Sequence, residues 1–474
     1  MNRSLNTESL EAFILDHLNA KPQIKRWVVA YSGGLDSSVL LHLIAVANQG
    51  LPQPKPVLAV HINHGLSANA DCWQQHCEQT ANNLGLTFIA KQVVVENQGQ
   101  GIEAAAREQR YRAFASIMQE GDCLVTGHHE DDQSETFLLR LLRGAGVQGL
   151  GAMADARVFA QGQLLRPLLN TTRQSLDEYA RDKNLTWVND ESNNDTVFDR
   201  NFLRQEVIPL LSTRWKKVKS RLAETAERLQ SAQQLLNDLA AIDLEKLSPR
   251  KERYGVSIDG LALKKLDRER INNVLRFWCC QQHLPQPNRQ QLYEVHRQLL
   301  SQQAVSTQAV VAWGMDLHAC EMRQFNQRLY MMPALTKFKP PQDAMTCSLN
   351  ENNLKPFGAG ILSLYVAQGN KNSKVLLVKE KIDSAKKIQI RWRKGGERCA
   401  PAGRAHSQQL KKLLQEYQLE TWLRDRVPLV YIDDDLAAVG DVWVCEEYTA
   451  SDSQEAVVLE WLLPAWNNSV YSTI

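Results

Sequence analysis

The chain has 474 residues, 43% of them hydrophobic and 23% charged, with a formal net charge of +2 at pH 7, which describes an ordinary globular chain of two or three domains. With so little net charge, any nucleic-acid contact must come from local patches. No stretch approaches the ~20 apolar residues that span a bilayer, and the first twenty residues carry Glu8, Glu11 and Asp16, so neither a membrane segment nor a signal peptide is expected. Nine scattered cysteines with no CxxC pair fit a reducing cytoplasm and argue against a zinc finger or a cysteine-held iron–sulfur cluster. In chain order, residues 27–31 read as a short buried strand, Ser32-Gly33-Gly34-Leu35-Asp36-Ser37 as a turn, and 38–44 as a buried helix. A strand at 57–63, a helix at 71–84, a strand at 88–95, a helix at 103–118 and a strand at 123–127 follow. Strand and helix alternating at this spacing make a parallel sheet covered on both faces, with its ligand site at the carboxyl ends of the strands.

Glycines 33 and 34 let backbone N–H groups approach a ligand, and the helix that follows aims its unpaired N–H groups at the same spot. Strand, glycine turn and helix N-terminus together form an anion site, most often for phosphate. Neither GxGxxG nor GxxxxGK[ST] is present, and no Lys reaches the phosphates. Asp36 occupies the first turn instead, where a carboxylate beside phosphate makes sense with Mg²⁺ between them. The competing reading is a plain strand–turn–helix in which Asp36 or Ser37 only caps the helix. His61 and Asn63 end the second strand and Gly127-His128-His129 the fourth, where a ligand at the strand ends would meet them.

Residues 127–136, GHHEDDQSET, run into a helix marked by Phe137, Leu138, Leu141 and Leu142. Asp132 and Glu135 are three apart and share one face, where they could hold Mg²⁺, hold a cationic substrate or take up a proton. The plainer account is a helix whose early acids answer its dipole. A zinc site from His128 and His129 is disfavoured, because adjacent strand-end side chains point to opposite sides.

SGGLDS at 32–37 resembles the pyrophosphate loop (PP-loop) of the N-type ATP pyrophosphatases, which split ATP into AMP and pyrophosphate. HINHGL at 61–66, GIEAAAREQRY at 101–111, GHHEDDQSET at 127–136, RGAGVQGLGAM at 143–153 and DRNFLR at 199–204 occur in the order of the tRNA(Ile)-lysidine synthetase family, along the whole chain. Ser67 departs from that pattern, since many relatives carry Arg after HGL. The resemblance implies an α/β fold class. It places a parallel-sheet, Rossmann-like PP-loop ATPase domain at 1–214 and a mainly helical tRNA-binding domain at 215–338. A linker at 339–353 and a small C-terminal α+β tRNA-recognition domain at 354–474 complete it.

It also implies the reaction, in which ATP adenylates C2 of the wobble cytidine of tRNA(Ile) with a CAU anticodon and free L-lysine displaces AMP. Ser32, Gly33, Gly34, Leu35, Asp36, Ser37, His61 and Asn63 are then the ATP-binding candidates, with Asp36 holding Mg²⁺. Asp132 and Glu135 are the lysine-binding pair, and Asp36, Asp132, Arg107, Arg204 and His128 the catalytic candidates. A helper is needed because the ε-amine, with pKa ~10.4, is nucleophilic in about one molecule in a few thousand near neutral pH. A carboxylate in hydrogen-bond reach can hold the ammonium and accept its proton.

Past Arg204 the composition changes. Lys216, Lys217, Lys219 and Arg221 open a long helical stretch to about residue 241, whose charges also fit a solvated helix face. Between 386 and 426 stand eleven Lys or Arg against four acids; after Arg426 there is no basic residue and nine acids follow. Arg391, Arg393, Lys394, Arg398, Arg404, Lys411 and Lys412 form a patch suited to tRNA phosphates, or to neutralising the acidic end of the same domain. A sibling tRNA thiolase would need paired cysteines, an amidating relative would need a glutaminase segment, and a non-catalytic nucleotide sensor would need no Asp132/Glu135 face. A cytoplasmic location is expected, and the oligomeric state stays open, a homodimer included.

Overall fold

The computed structural model describes residues 7–65, 67, 69–94, 102–189, 197–301, 309–315, 319–335, 338, 340, 344–347, 355–357, 360–366, 376–385, 387–451 and 455–463. The chain divides into two compact units, the first running to Asp238 and the second beginning at Leu239.

The first unit alternates as its sequence demands. Its elements are α1 (Thr7–Asn19), β1 (Arg26–Ala30), α2 (Leu35–Gln49), β2 (Val57–Asn63), α3 (Ala70–Asn83), β3 (Thr87–Gln92) and α4 (Ile102–Ala115). β4 (Asp122–Val125), α5 (Glu130–Leu142), α6 (Val147–Leu150), β5 (Ala156–Phe159), β6 (Gly162–Leu165) and α7 (Arg173–Asp182) follow. The sheet order is β3-β2-β1-β4-β6-β5, and every pairing is parallel except that of β5 with β6. All seven residues of β2 are buried, as in a strand covered on both faces. Along β1 the side chains alternate: Trp27 and Val29 join a core with Leu10, Ile14, Leu40 and Tyr179, while Val28 joins the opposite core with Phe114, Met118 and Leu164.

The β5–β6 hairpin carries a weak sequence signal: Gly162 closes its turn, but the residue at φ 48° is Ala160, not Asn or Gly. Beyond it lie α8 (Asp199–Phe202), a π-helical turn at Leu203–Val207, α9 (Ile208–Arg214) and α10 (Val218–Lys246). The division between the two compact units falls inside α10, whose first half is tied to the sheet unit. Gln230 donates to the carbonyl of Met153 at 2.8 Å, and Lys219 pairs with Asp131.

The second unit adds to its helices Arg268–Gln281 and Arg289–Glu294 a five-stranded antiparallel sheet. Its strand order is Arg250–Lys251, Val256–Asp259, Arg328–Pro333, Cys320–Phe325, Val310–Trp313. The region expected to be mainly helical therefore carries this sheet as well. Another five-stranded and a four-stranded antiparallel sheet build the C-terminal part, and one core joins Tyr254, Tyr330 and Met332 to Trp392, Leu423 and Trp461. Of the expected linker, Met345–Cys347 is a strand paired with Ile388–Arg391, and most of the remainder lies outside the described residues. No helix among the described residues is long and apolar enough to cross a membrane.

Candidate active site

The glycine loop lies between β1 and α2, at the carboxyl edge of the sheet. Gly33 has φ +86°, and a Cβ there would stand 2.8 Å from Cys77 Sγ and 3.0 Å from Val188 Cγ2, so only glycine fits. Gly34 is the N-cap of α2 with no side-chain cap, leaving the first N–H groups of the helix without a side-chain partner. Asp36 and Ser37 therefore do not cap the helix. Ser37 instead ties the loop, its Oγ donating to the Gly34 carbonyl at 3.0 Å and accepting from the Ser32 amide at 3.2 Å. Asp36 is half-buried, and its Oδ1 has no hydrogen-bond partner; the Arg173 Nε stands 3.9 Å away. Gly127 brings the end of β4 against this turn, since a Cβ there would lie 3.0 Å from the Asp36 carbonyl oxygen.

His129, which did not figure among the candidates, connects the two acidic groups. Its ring is 2% exposed, and Nδ1 accepts from the Asp131 amide at 3.2 Å. The proton on Nε2 then faces Asp36 Oδ2 and Asp132 Oδ2, each 3.5 Å away. Burial opposes a charge on this imidazole, but Asp132, Asp36 and Asp131 outweigh it and raise its pKa. Asp132 is also buried, which by itself would raise its pKa; His129, Arg200 and His128 pull it down to about 2.

Asp132 and Glu135 do share one face of α5, as their spacing demands, and two arginines from the 199–204 segment cover them. Arg200 donates from Nε to Glu135 Oε2 and from Nη2 to Asp132 Oδ1, both at 2.7 Å. Arg204 donates from Nε to Glu135 Oε1 at 2.7 Å and from Nη2 to Asp132 Oδ1 at 3.3 Å. Glu135 is 1% exposed, so two buried carboxylates meet two half-buried guanidiniums in one four-charge cluster. Asp132 serves the helix too, its Oδ2 accepting from the His129 amide at 3.1 Å, so the dipole account and the ligand account both hold in part. Arg204 thus sits on the carboxylate pair, and Arg200 was missed because nothing local separates it from a surface arginine.

The other candidates are spread wider. The His128 Nδ1 stands 2.8 Å from the Thr126 hydroxyl, and burial with nearby Arg166, Arg200 and Arg107 pushes its pKa down to about 3 against the pull of Asp132. Arg107 is exposed and lies 5.2 Å over the Tyr111 ring. His61 Nδ1 donates to the Tyr31 carbonyl at 3.1 Å. Asn63 gives its amide to Asp71 and Gln74 and accepts from the Gly65 amide at 2.9 Å, so it shapes the loop after β2.

His128 carries a pH prediction. Below pH 6.5 the unfolded chain protonates this ring while the folded chain excludes the proton until about pH 3. A depressed folded-state histidine contributes stability above pH 6.5 that is lost as pH falls through that window, with a slope of up to about 1.4 kcal/mol per pH unit. Thermal melts at stepped pH should therefore fall less steeply for His128→Gln than for the unaltered chain. Parallel profiles would show that the ring protonates in the folded protein.

In the second unit the basic run is partly neutralised. Arg391 pairs with Asp434 at 3.5 Å and lies 4.2 Å over Tyr431, Arg393 pairs with Asp425 at 3.2 Å, and Arg404 is bidentate to Glu416. Lys394, Arg398, Lys411 and Lys412 make no ion pair among the described residues.

An uncapped glycine loop at the carboxyl edge of a parallel sheet, with Asp36 beside it, defines a PP-loop enzyme that uses ATP, and a PP-loop domain model matches residues 7–211. Models of the TilS substrate binding domain and the TilS substrate C-terminal domain match residues 261–330 and 388–461. The tRNA(Ile)-lysidine synthase of Coxiella burnetii is 38% identical over 93% of this chain and 92% of its own length. That of Serratia proteamaculans is 38% identical over 96% and 99%, and that of Legionella pneumophila strain Paris 38% over 92% and 95%. The chain belongs to the tRNA(Ile)-lysidine synthase family.

Proposed function

We propose that this protein ligates free L-lysine to C2 of the wobble cytidine of a tRNA(Ile) with a CAU anticodon, consuming ATP and releasing AMP and pyrophosphate. The supporting observation is the His129 bridge, which holds the PP-loop carboxylate and the Asp132/Glu135 face at one site. Adenylation and amine attack both need such a shared site. In the first step the cytidine carbonyl oxygen attacks the α-phosphate, and pyrophosphate leaves. Loop amides and the α2 N-terminus meet the phosphate charge. Asp36, with an unpartnered buried oxygen, would hold Mg²⁺, which supplies positive charge beside the triphosphate.

In the second step the ε-amine of lysine attacks C2 and expels AMP. While paired with Arg200 the Asp132 carboxyl is held at about 2, so it contributes charge that holds the ammonium, and the proton lost as the new C–N bond forms passes to Glu135, the other carboxylate of the pair. Free lysine carries its own carboxylate. An exchange of partners then fits the charges: the ammonium takes the carboxylates, and the lysine carboxylate takes Arg200 or Arg204. The C-terminal patch, chiefly Lys394, Arg398, Lys411 and Lys412, supplies tRNA phosphate contacts without reading sequence.

The test is incorporation of radiolabelled lysine into tRNA(Ile) and into tRNA(Met), each with a CAU anticodon, with ATP present and absent. ATP-dependent labelling of the first alone is expected. Labelling of neither, with the protein folded, would end this reading.

A further inference from the structure

Arg107, Arg140, Arg157 and Arg166 stand in the sheet unit with no acidic partner, in contrast to Arg200 and Arg204. None of the four pairs with Asp or Glu among the described residues. Three of them converge on one tyrosine. Arg107 and Arg157 lie over the Tyr111 ring, their Cζ atoms 5.2 and 5.8 Å from its centroid, and Arg166 lies near enough for the Tyr111 hydroxyl to favour its charge. Phe159 completes the stack, 5.7 Å from Tyr111 edge to face and 5.4 Å beneath Arg157. Arg166 is 4% exposed, donates from Nη1 to the Ala154 carbonyl at 2.6 Å and leaves its buried Nε without a hydrogen-bond partner. Burial and the neighbouring guanidiniums lower the pKa of both Arg140 and Arg166.

A buried, unpaired guanidinium is costly unless an anion joins it. Stacking on an aromatic ring fixes the guanidinium plane and leaves its N–H edge for the fork geometry that phosphate accepts. Position in the sheet separates this cluster from the nucleotide. The PP-loop follows β1, whereas Arg166 follows β6 and Arg157 lies on β5, two and three strands away in the order β1-β4-β6-β5. At ~4.8 Å per strand those are displacements of about 10 and 14 Å. His128, in electrostatic reach of Arg166 and Arg107, lies after β4, between the two anion sites.

We propose that Arg157 and Arg166, set in place by Tyr111, form a seat for an RNA phosphodiester next to the reacting cytidine, distinct from the ATP phosphates. The inference rests on the function proposed above and adds a binding site to it.

The experiment uses Arg157→Gln in the full chain, because Arg157 is half-buried on an edge strand and its loss spares the core. Affinity for an anticodon stem-loop RNA carrying CAU is measured across a salt series, ATP affinity by calorimetry, and lysine incorporation in the same samples. The variant should bind the stem-loop about tenfold more weakly, as expected for one charge-assisted hydrogen bond. Its log–log salt slope should be flatter by about 0.7, one single-strand phosphate contact, and its ATP affinity unchanged. Arg157→Lys, keeping charge without the fork, should restore the slope and only part of the affinity. Unchanged stem-loop affinity and slope in Arg157→Gln would overturn the seat and leave these arginines as braces of the 149–157 loop. Weaker ATP binding with RNA binding intact would overturn it in favour of a nucleotide phosphate. No incorporation by the unaltered chain would overturn the function itself, a result separable from either.

Discussion

Asp36→Ala is expected to abolish AMP formation while leaving the fold intact. Asp36 sits in the first turn of α2 without capping it, and its Oδ1 accepts no hydrogen bond, so what the native structure loses with the carboxylate is its approach to His129, which keeps Asp132 as a partner. The transition state loses more, because the carboxylate is the group placed to hold a metal ion beside the α-phosphate and is one of the two acids facing His129. Loss of about 4 kcal/mol of transition-state stabilisation corresponds to roughly 10³-fold in rate. The check is AMP release with tRNA(Ile) and ATP, beside a thermal melt. A normal rate of AMP release would remove Asp36 from the chemistry, and a collapsed melting profile would make its role structural.

Glu135→Gln should raise the KM for lysine by at least about 10²-fold while pyrophosphate release, which needs no lysine, falls much less. Glu135 faces both Arg200 and Arg204 from a buried position, so its neutralisation also leaves two guanidiniums sharing Asp132. Breaking a buried pair costs about 3–5 kcal/mol, so the variant should melt earlier and must be assayed below its midpoint. Glu135→Gln/Arg204→Gln removes one charge of each sign and should recover much of that stability without recovering lysine affinity. Asp132→Asn should damage both half-reactions, since Asp132 contacts Arg200 on one side and His129 on the other. Unchanged lysine dependence in both single variants would show that the carboxylates only neutralise the arginines.

The parts of the site that were legible are those made by residues close in sequence. SGGLDS forms its loop within ten residues, and Asp132 and Glu135 share a face because three residues make nearly one helical turn. Even there the outcome was partly hidden: the pair occupies the face its spacing assigned, but the arginines that cover it lie more than sixty residues later. Of the two adjacent histidines the sequence favoured His128 over His129. His129 became the bridge only because β4 ends with Gly127 pressed against the turn that carries Asp36.

The sequence by itself determined the alternation of strand and helix, the PP-loop and the acidic face, all through local periodicity and backbone freedom that act over a turn or two of chain. Tertiary structure alone decided the β5–β6 hairpin, whose turn puts Ala160 where glycine or asparagine would announce it, and the second-unit sheets, whose strands are short and paired at long range. It alone decided which arginines are neutralised and which are not: Arg200 and Arg204 meet carboxylates, while Arg157 and Arg166 meet a tyrosine. The reason is range. Backbone preference and helical spacing are fixed by neighbours in the chain, whereas the charge a guanidinium meets depends on packing between segments tens of residues apart.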